Sequence, residues 1–187
     1  MSILNYLPTF KVVEINRSTG LVAGHVLSQY KLAEASTLTE TQGTVEFLSN
    51  GFIVGLGGDL EIQAYDATVH GQPFLVFTEE LNTYMDGLKY YATAEDSDGD
   101  LYPRCIGLFV GDTFTTDNYQ LEAVYDNVPT IDTAAYARVE AGVLTLQLAA
   151  NVNTLFAVEK STLPDGSVAV RFTYTGTISD TSESAEL

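Results

Sequence analysis

The chain has 187 residues, with 8 Lys+Arg against 25 Asp+Glu and a formal net charge of −17 at pH 7. A surface this negative repels phosphate backbones and anionic headgroups, and eight scattered cations cannot form the basic stripe that displaces counterions, so nucleic acid and membrane are excluded as partners. A hydrophobic content of 45%, with 11 Tyr and 9 Phe, excludes an acidic disordered chain and suffices for a substantial core.

The chain opens with Ser2, Ile3, Leu4, Asn5, Tyr6 and Leu7, an apolar stretch interrupted by Pro8 and without a cation before Lys11. It lacks the unbroken apolar core of a signal peptide, which argues against Sec export and for synthesis and folding in a cytoplasm. Residues 2–10 read either as a first core strand or as an extended docking arm. No apolar run approaches the roughly 20 residues of a membrane span. Residues 29–34 carry the pattern of a short helical turn.

Beyond them the apolar residues recur mainly with period two, in short blocks bounded by Gly, Asn, Asp, Pro and Thr, as half-buried strands require. Residues 44–48 and 52–56 flank Asn50-Gly51, the dipeptide best suited to the positive φ angles of a tight hairpin turn. Gly57-Gly58 then leads into residues 59–65, where Leu60, Ile62 and Ala64 alternate with polar neighbours, and the three segments read as a meander. Residues 73–77 form a core strand. In residues 79–91, Leu81, Met85 and Leu88 make a loose helical face behind Thr78 as a candidate N-cap, although Gly87 interrupts it.

Residues 105–110 read as a second core strand ending at Gly111-Asp112. Residues 135–140 and 143–148 form a hairpin around Ala141-Gly142, with Leu144, Leu146 and Leu148 expected on one face. The clearest hairpin joins residues 155–160 to 168–174 through Pro164-Asp165-Gly166. The Ser/Thr/acid-rich residues 178–187 lack periodicity and read as a flexible acidic tail. Together these elements specify a mainly β chain: an antiparallel β-sandwich or barrel with at most two short helices, in a single domain of residues 1–177. A subdivision near residues 127–130 is the alternative, since hairpin clusters flank an acidic middle.

That middle, residues 78–126, holds 11 of the 25 acids but only Lys89 and Arg104 as cations. Within it, Asp96, Asp98 and Asp100 alternate as calcium ligands do, but Leu101 and Gly107 stand where an EF-hand loop needs Gly and Glu. A solvated acidic turn is the preferred reading, and no metal is assigned. The single cysteine, Cys105, excludes a disulfide framework and any Cys-based zinc site. Its apolar surroundings make it a small core residue rather than a nucleophile served by His25 or His70. The Gly-rich run at residues 55–58 has no Lys-Ser/Thr after it and reads as turn glycines rather than a phosphate loop. No catalytic residue and no cofactor is assigned, and the chain reads as a non-enzymatic module that docks on a partner.

Tyr102, Pro103 and Arg104, followed by Gly111, Asp112, Phe114, Thr115 and Thr116, resemble a segment of small virion structural proteins of tailed bacteriophages, the head decoration or auxiliary capsid proteins. Asp117 departs from the Thr-Thr-Asn form of that segment, which spans about 20 residues and reads as a structural hairpin rather than a site. The resemblance implies a virion protein that, after synthesis in the host cytoplasm, binds the outside of the capsid lattice in many copies and stabilises it. The implied partners are the major capsid protein and further copies of the chain, as a homo-oligomer or as lattice neighbours. Residues Ser2 to Leu7 are the candidate capsid-docking segment, and Arg104 is expected to pair with nearby acids. A tail or fibre component recognising host glycans is the alternative.

Overall fold

The computed structural model describes residues 13–17, 26–33, 38–42, 45–58, 60–78, 92–94, 98–122, 130–150, 153–164 and 166–176. These residues form strands and no helix. One sheet of seven strands has the order β1 (Val13–Arg17), β11 (Thr113–Thr116), β16 (Val168–Tyr174), β15 (Thr154–Thr162), β13 (Tyr136–Glu140), β14 (Val143–Gln147) and β12 (Tyr119–Leu121). A six-stranded sheet runs β2 (Val26–Leu27), β10 (Cys105–Gly107), β8 (Phe74–Val76), β6 (Ile53–Leu56), β7 (Glu61–Ala64) and β3 (Lys31–Leu32). The third sheet has three strands, β4 (Glu40–Gln42), β5 (Val45–Ser49) and β9 (Ala92–Ala94). The protein is a mainly β fold of the sandwich kind. Pairing is antiparallel except between β12 and β14 and between β3 and β7.

The six-stranded sheet lies between two cores, which explains its unbroken apolar runs: a strand buried on both faces has no use for alternation with polar residues. Ile53 and Leu75 face the first core, whereas Val54, Phe74, Val76 and Cys105, their neighbours along or across the strands, face the second. The seven-stranded sheet fills the first core from its side with Phe114, Phe156, Phe172, Leu144 and Leu146. Phe114 stacks on Phe172 at 5.5 Å between ring centroids, and Phe156 meets both rings edge-on at 5.9 and 6.0 Å, the arrangements that aromatic quadrupoles favour. Leu38, Leu48 of β5 and Leu101 close the second core.

Three expected hairpins form. β6 and β7 pair through Gly57-Gly58, and β13 and β14 pair around Ala141 and Gly142, whose φ angles of 46° and 80° are those of a tight two-residue turn. β15 and β16, the longest pair, close with Gly166 at φ 86°.

Other expectations are corrected. Residues 45–49 and 53–56 do not form a hairpin: Asn50-Gly51 is a corner at which the chain leaves the three-stranded sheet for the six-stranded one. Gly51 has the expected positive φ, 93°, but a Cβ there would lie 2.7 Å from that of Asn118, so close packing reinforces the choice of glycine. The expected helical turn at residues 29–34 is instead β3, which pairs in parallel with Glu61 and Ile62. The strand beginning at Cys105 ends at Gly107, and Leu148 lies past the end of β14 and is exposed, unlike Leu144 and Leu146. The candidate helix at residues 79–91 and the tail at 178–187 lie outside the described residues, as does most of the alternative boundary at 127–130.

Gly55 has the tightest surroundings of the described glycines: a Cβ would lie 2.2 Å from Cγ of the buried His70 ring. Gly55→Ala is therefore expected to destabilise the protein by about 1–3 kcal/mol through overpacking. Gly58→Ala, which meets nothing within 4 Å, is expected to be neutral or stabilising by up to about 1 kcal/mol. Urea unfolding midpoints of the two variants check the contrast, and equal midpoints would contradict the close fit at His70.

Candidate functional site

The three sheets meet along a buried polar seam. Its centre is Asn50, whose side-chain amide acts like a peptide group: Thr78 N–H donates to Oδ1 at 2.7 Å, and Nδ2 donates to the Thr78 carbonyl at 3.2 Å. The Asn50 carbonyl in turn accepts from Asn118 Nδ2 at 2.8 Å, and Asn118 N–H donates to Thr116 Oγ1. Thr78 Oγ1 bonds Thr93 Oγ1 of β9 at 2.9 Å and accepts from the backbone N–H of Arg104 at 3.1 Å. All of these side chains except that of Arg104 are buried. Each buried group is answered by another, the condition under which a polar network stiffens a fold.

The segment from Tyr102 to Thr116 is a bridge between sheets. It is not the hairpin expected from the sequence, because β10 and β11 belong to different sheets. Pro103 is buried, Tyr102 is exposed, and the Arg104 carbonyl accepts from Phe77 N–H at 2.9 Å. Arg104 enters no ion pair with another described residue, and its backbone N–H and carbonyl tie this entry to Thr78 and Phe77. At the exit, Asp112 is buried: its Oδ2 accepts from Phe109 N–H at 3.0 Å while its own N–H donates to the Phe109 carbonyl at 2.9 Å. Gly111, at φ 94°, donates its N–H to the Tyr174 carbonyl and so ties the turn to β16.

A cleft of about 460 Å³ opens between the turn after β7 and the β13–β14 hairpin. Tyr65, Val139 and Leu155 supply its apolar lining, and Asp66, Thr68, Glu140 and Asn153 its polar lining. Arg138 also lines it, held between Glu122 and Glu140. Desolvation weakens the Arg138 charge, but the two carboxylates outweigh it and raise its pKa above the ordinary arginine value. Glu140 is engaged further by Thr145 Oγ1 at 3.1 Å and by Gln120 Nε2 at 3.4 Å. Asp66 Oδ1 accepts from both Oγ1 and N–H of Thr68, at 2.7 and 2.8 Å, and these bonds lower its pKa below the usual aspartate value.

Behind this turn His70 Nδ1 accepts from Asp66 N–H at 2.9 Å, and the other ring nitrogen, Nε2, lies 2.8 Å from Gln63 Nε2. His70 is thus a turn-bracing residue. Cys105 is fully buried in the second core, and burial pushes its thiol pKa up, away from nucleophilic chemistry. Of the acidic run, Asp96 lies outside the described residues and Asp100 pairs with Lys31 at 2.7 Å. No group of three or more His, Cys, Asp or Glu able to hold a metal occurs among the described residues. The candidate docking residues Ser2 to Leu7, and His25, lie outside them. Sequence reasoning missed both the seam and the cleft, because their members are scattered in sequence and only Asn50-Gly51 carries a local signal.

Asn50→Ala is expected to strip Thr78 of both backbone partners and to cost about 2 kcal/mol or more, given about 1–3 kcal/mol for each unsatisfied buried group. Chemical denaturation measures this, and a loss below about 1 kcal/mol would contradict a central role for the amide. Because the pKa of folded Asp66 is depressed, its contribution to stability is complete above the ordinary aspartate range and is lost as pH falls through the lower folded value. Removing the Oγ1 donor with Thr68→Val should move the Asp66 carboxyl titration, followed by carbon NMR, upward toward the ordinary value. An unchanged titration would refute the assignment. No family model, no curated protein and no solved structure matches the chain.

Proposed function

We propose that the chain is a non-enzymatic structural protein of a tailed-phage virion, which binds the outside of the capsid lattice in many copies and stabilises it. The partners in this reading are the major capsid protein and neighbouring copies of the chain, and the site of action is the capsid surface. The observation that carries the reading is the use made of the segment bearing the phage resemblance. The N–H groups of Arg104 and Gly111 bind other parts of the framework, the buried Asp112 carboxylate closes the segment's own turn on Phe109 N–H, and Asn50, Thr78, Thr93, Thr116 and Asn118 close on one another. Among the described buried side-chain nitrogens and oxygens, only Arg171 Nε lacks a partner. Such closure suits a rigid docking module, whose polar groups hold shape. The charge of −17 suits an outward face, away from packed DNA, and keeps copies apart on a crowded lattice.

The second reading, a tail or fibre component recognising host glycans, draws on the cleft, where Tyr65, Asp66 and Asn153 offer an apolar face beside hydroxyl-binding groups. Purified protein mixed with mature empty capsids of the parent phage should co-sediment to a fixed copy number and raise the temperature at which the capsids rupture. A glycan array should stay silent. Protein left wholly in the supernatant would sink the capsid reading, and selective glycan capture would replace it with the second.

A further inference from the structure

We infer that the cleft between the turn after β7 and the β13–β14 hairpin is a receptor for a lysine side chain of the protein on which this module docks. The inference rests on the reading of the chain as a docking module. Charge decides the class of occupant. Around the cleft stand the carboxylates of Asp66, Glu140 and Glu122 against the single guanidinium of Arg138, which Glu122 and Glu140 already hold. The local excess is negative, as is that of the whole chain, so anionic ligands are repelled and a cation is drawn in.

Geometry narrows the class. Tyr65, Val139 and Leu155 supply apolar wall for an aliphatic stem, while Asp66 supplies the counter-charge. A purely apolar guest would cover that carboxylate without answering it. Glu140 is spent on Arg138, Thr145 and Gln120, and Asp66 Oδ1 on the two donors of Thr68. Among the described residues nothing bonds Oδ2 of Asp66, the oxygen left for a guest. One oxygen suits the point charge of an ammonium group, whereas the planar fork of arginine seeks two. The volume of about 460 Å³ accommodates such a side chain together with water.

The test is an amide-resolved NMR titration of the full-length protein with Nα-acetyl-lysine methylamide, run beside its Nε-acetylated neutral form and a neutral monosaccharide. The expected result is saturable shifts at residues 64–68 and 139–141 with the lysine probe alone. Asp66→Asn, which keeps an oxygen for the Thr68 donors, should weaken that binding by about fivefold, the size of a favourable exposed ion pair. No saturable shift at these residues, an equal response to the acetylated probe, or the same shifts with the monosaccharide would each overturn the inference. In capsid sedimentation, Asp66→Asn binding as tightly as the unmodified protein would overturn it while leaving the capsid reading standing. Failure of the unmodified protein to sediment would overturn only that reading, since the lysine titration judges the cleft by itself.

Discussion

Burial of the six-stranded sheet on both faces is the constraint from which the rest of the architecture follows. A strand such as β8 sends Phe74 and Val76 to one core and Leu75 to the other. Neither face can be left to water, so one layer is needed on each side. The seven-stranded sheet supplies one with its aromatic trio, and Leu38, Leu48 and Leu101 close the other. Packing the layers buries the corners where the chain crosses between them, and a buried corner exposes backbone groups that no ladder can pair. The amide of Asn50 solves that problem for Thr78 by standing in for a strand neighbour. Hydrophobic layering and the polar seam are thus two sides of one arrangement.

What was legible in the sequence was whatever depends on neighbours in the chain. The hairpins at Gly57-Gly58, Ala141-Gly142 and Gly166 needed only turn chemistry and period-two flanks. Residues 73–77 and 105–110 announced themselves as core by their unbroken apolar character, although the second strand stops at Gly107 and Val110 is exposed. The pairing of β5 with β9, rather than with β6, was hidden because Asn50-Gly51 has the same local signature whether the chain folds back on itself or turns a corner into another sheet. β11 was hidden for a related reason: Thr113 to Thr116 belong to a segment that reads as one local hairpin, yet they lie between β1 and β16 with Phe114 and Thr116 inward. Lys31 and Leu32 became a strand only because Glu61 and Ile62 offered an edge. The cleft was illegible because Asp66, Glu140 and Asn153 are brought together solely by the docking of the hairpin tip on the central sheet, where Ile53 N–H donates to the Gly142 carbonyl at 2.8 Å.

The acidic surplus also changes meaning with the fold. As composition it was a reason to expect neither nucleic acid nor membrane as a partner. Among the described residues, several acids prove to be structural: Asp112 secures a turn, Glu122 and Glu140 grip Arg138, and Asp100 holds Lys31. Asp66 differs from these in keeping one oxygen outside its local bonds, and it does so beside a cavity.

The order of the layers along the chain bears on how the protein emerges from the ribosome. Every strand of the six-stranded sheet comes from residues 26–107, whereas the sheet that covers its first face, β1 apart, comes from residues 113–174. At about 5–20 residues per second, translation leaves that apolar face bare for several seconds, the situation in which nascent chains associate. The first 107 residues already carry 14 acids against 5 cations. Mutual repulsion between half-made copies is therefore available at the stage when the central layer lacks its cover, well before any surface of the finished molecule exists.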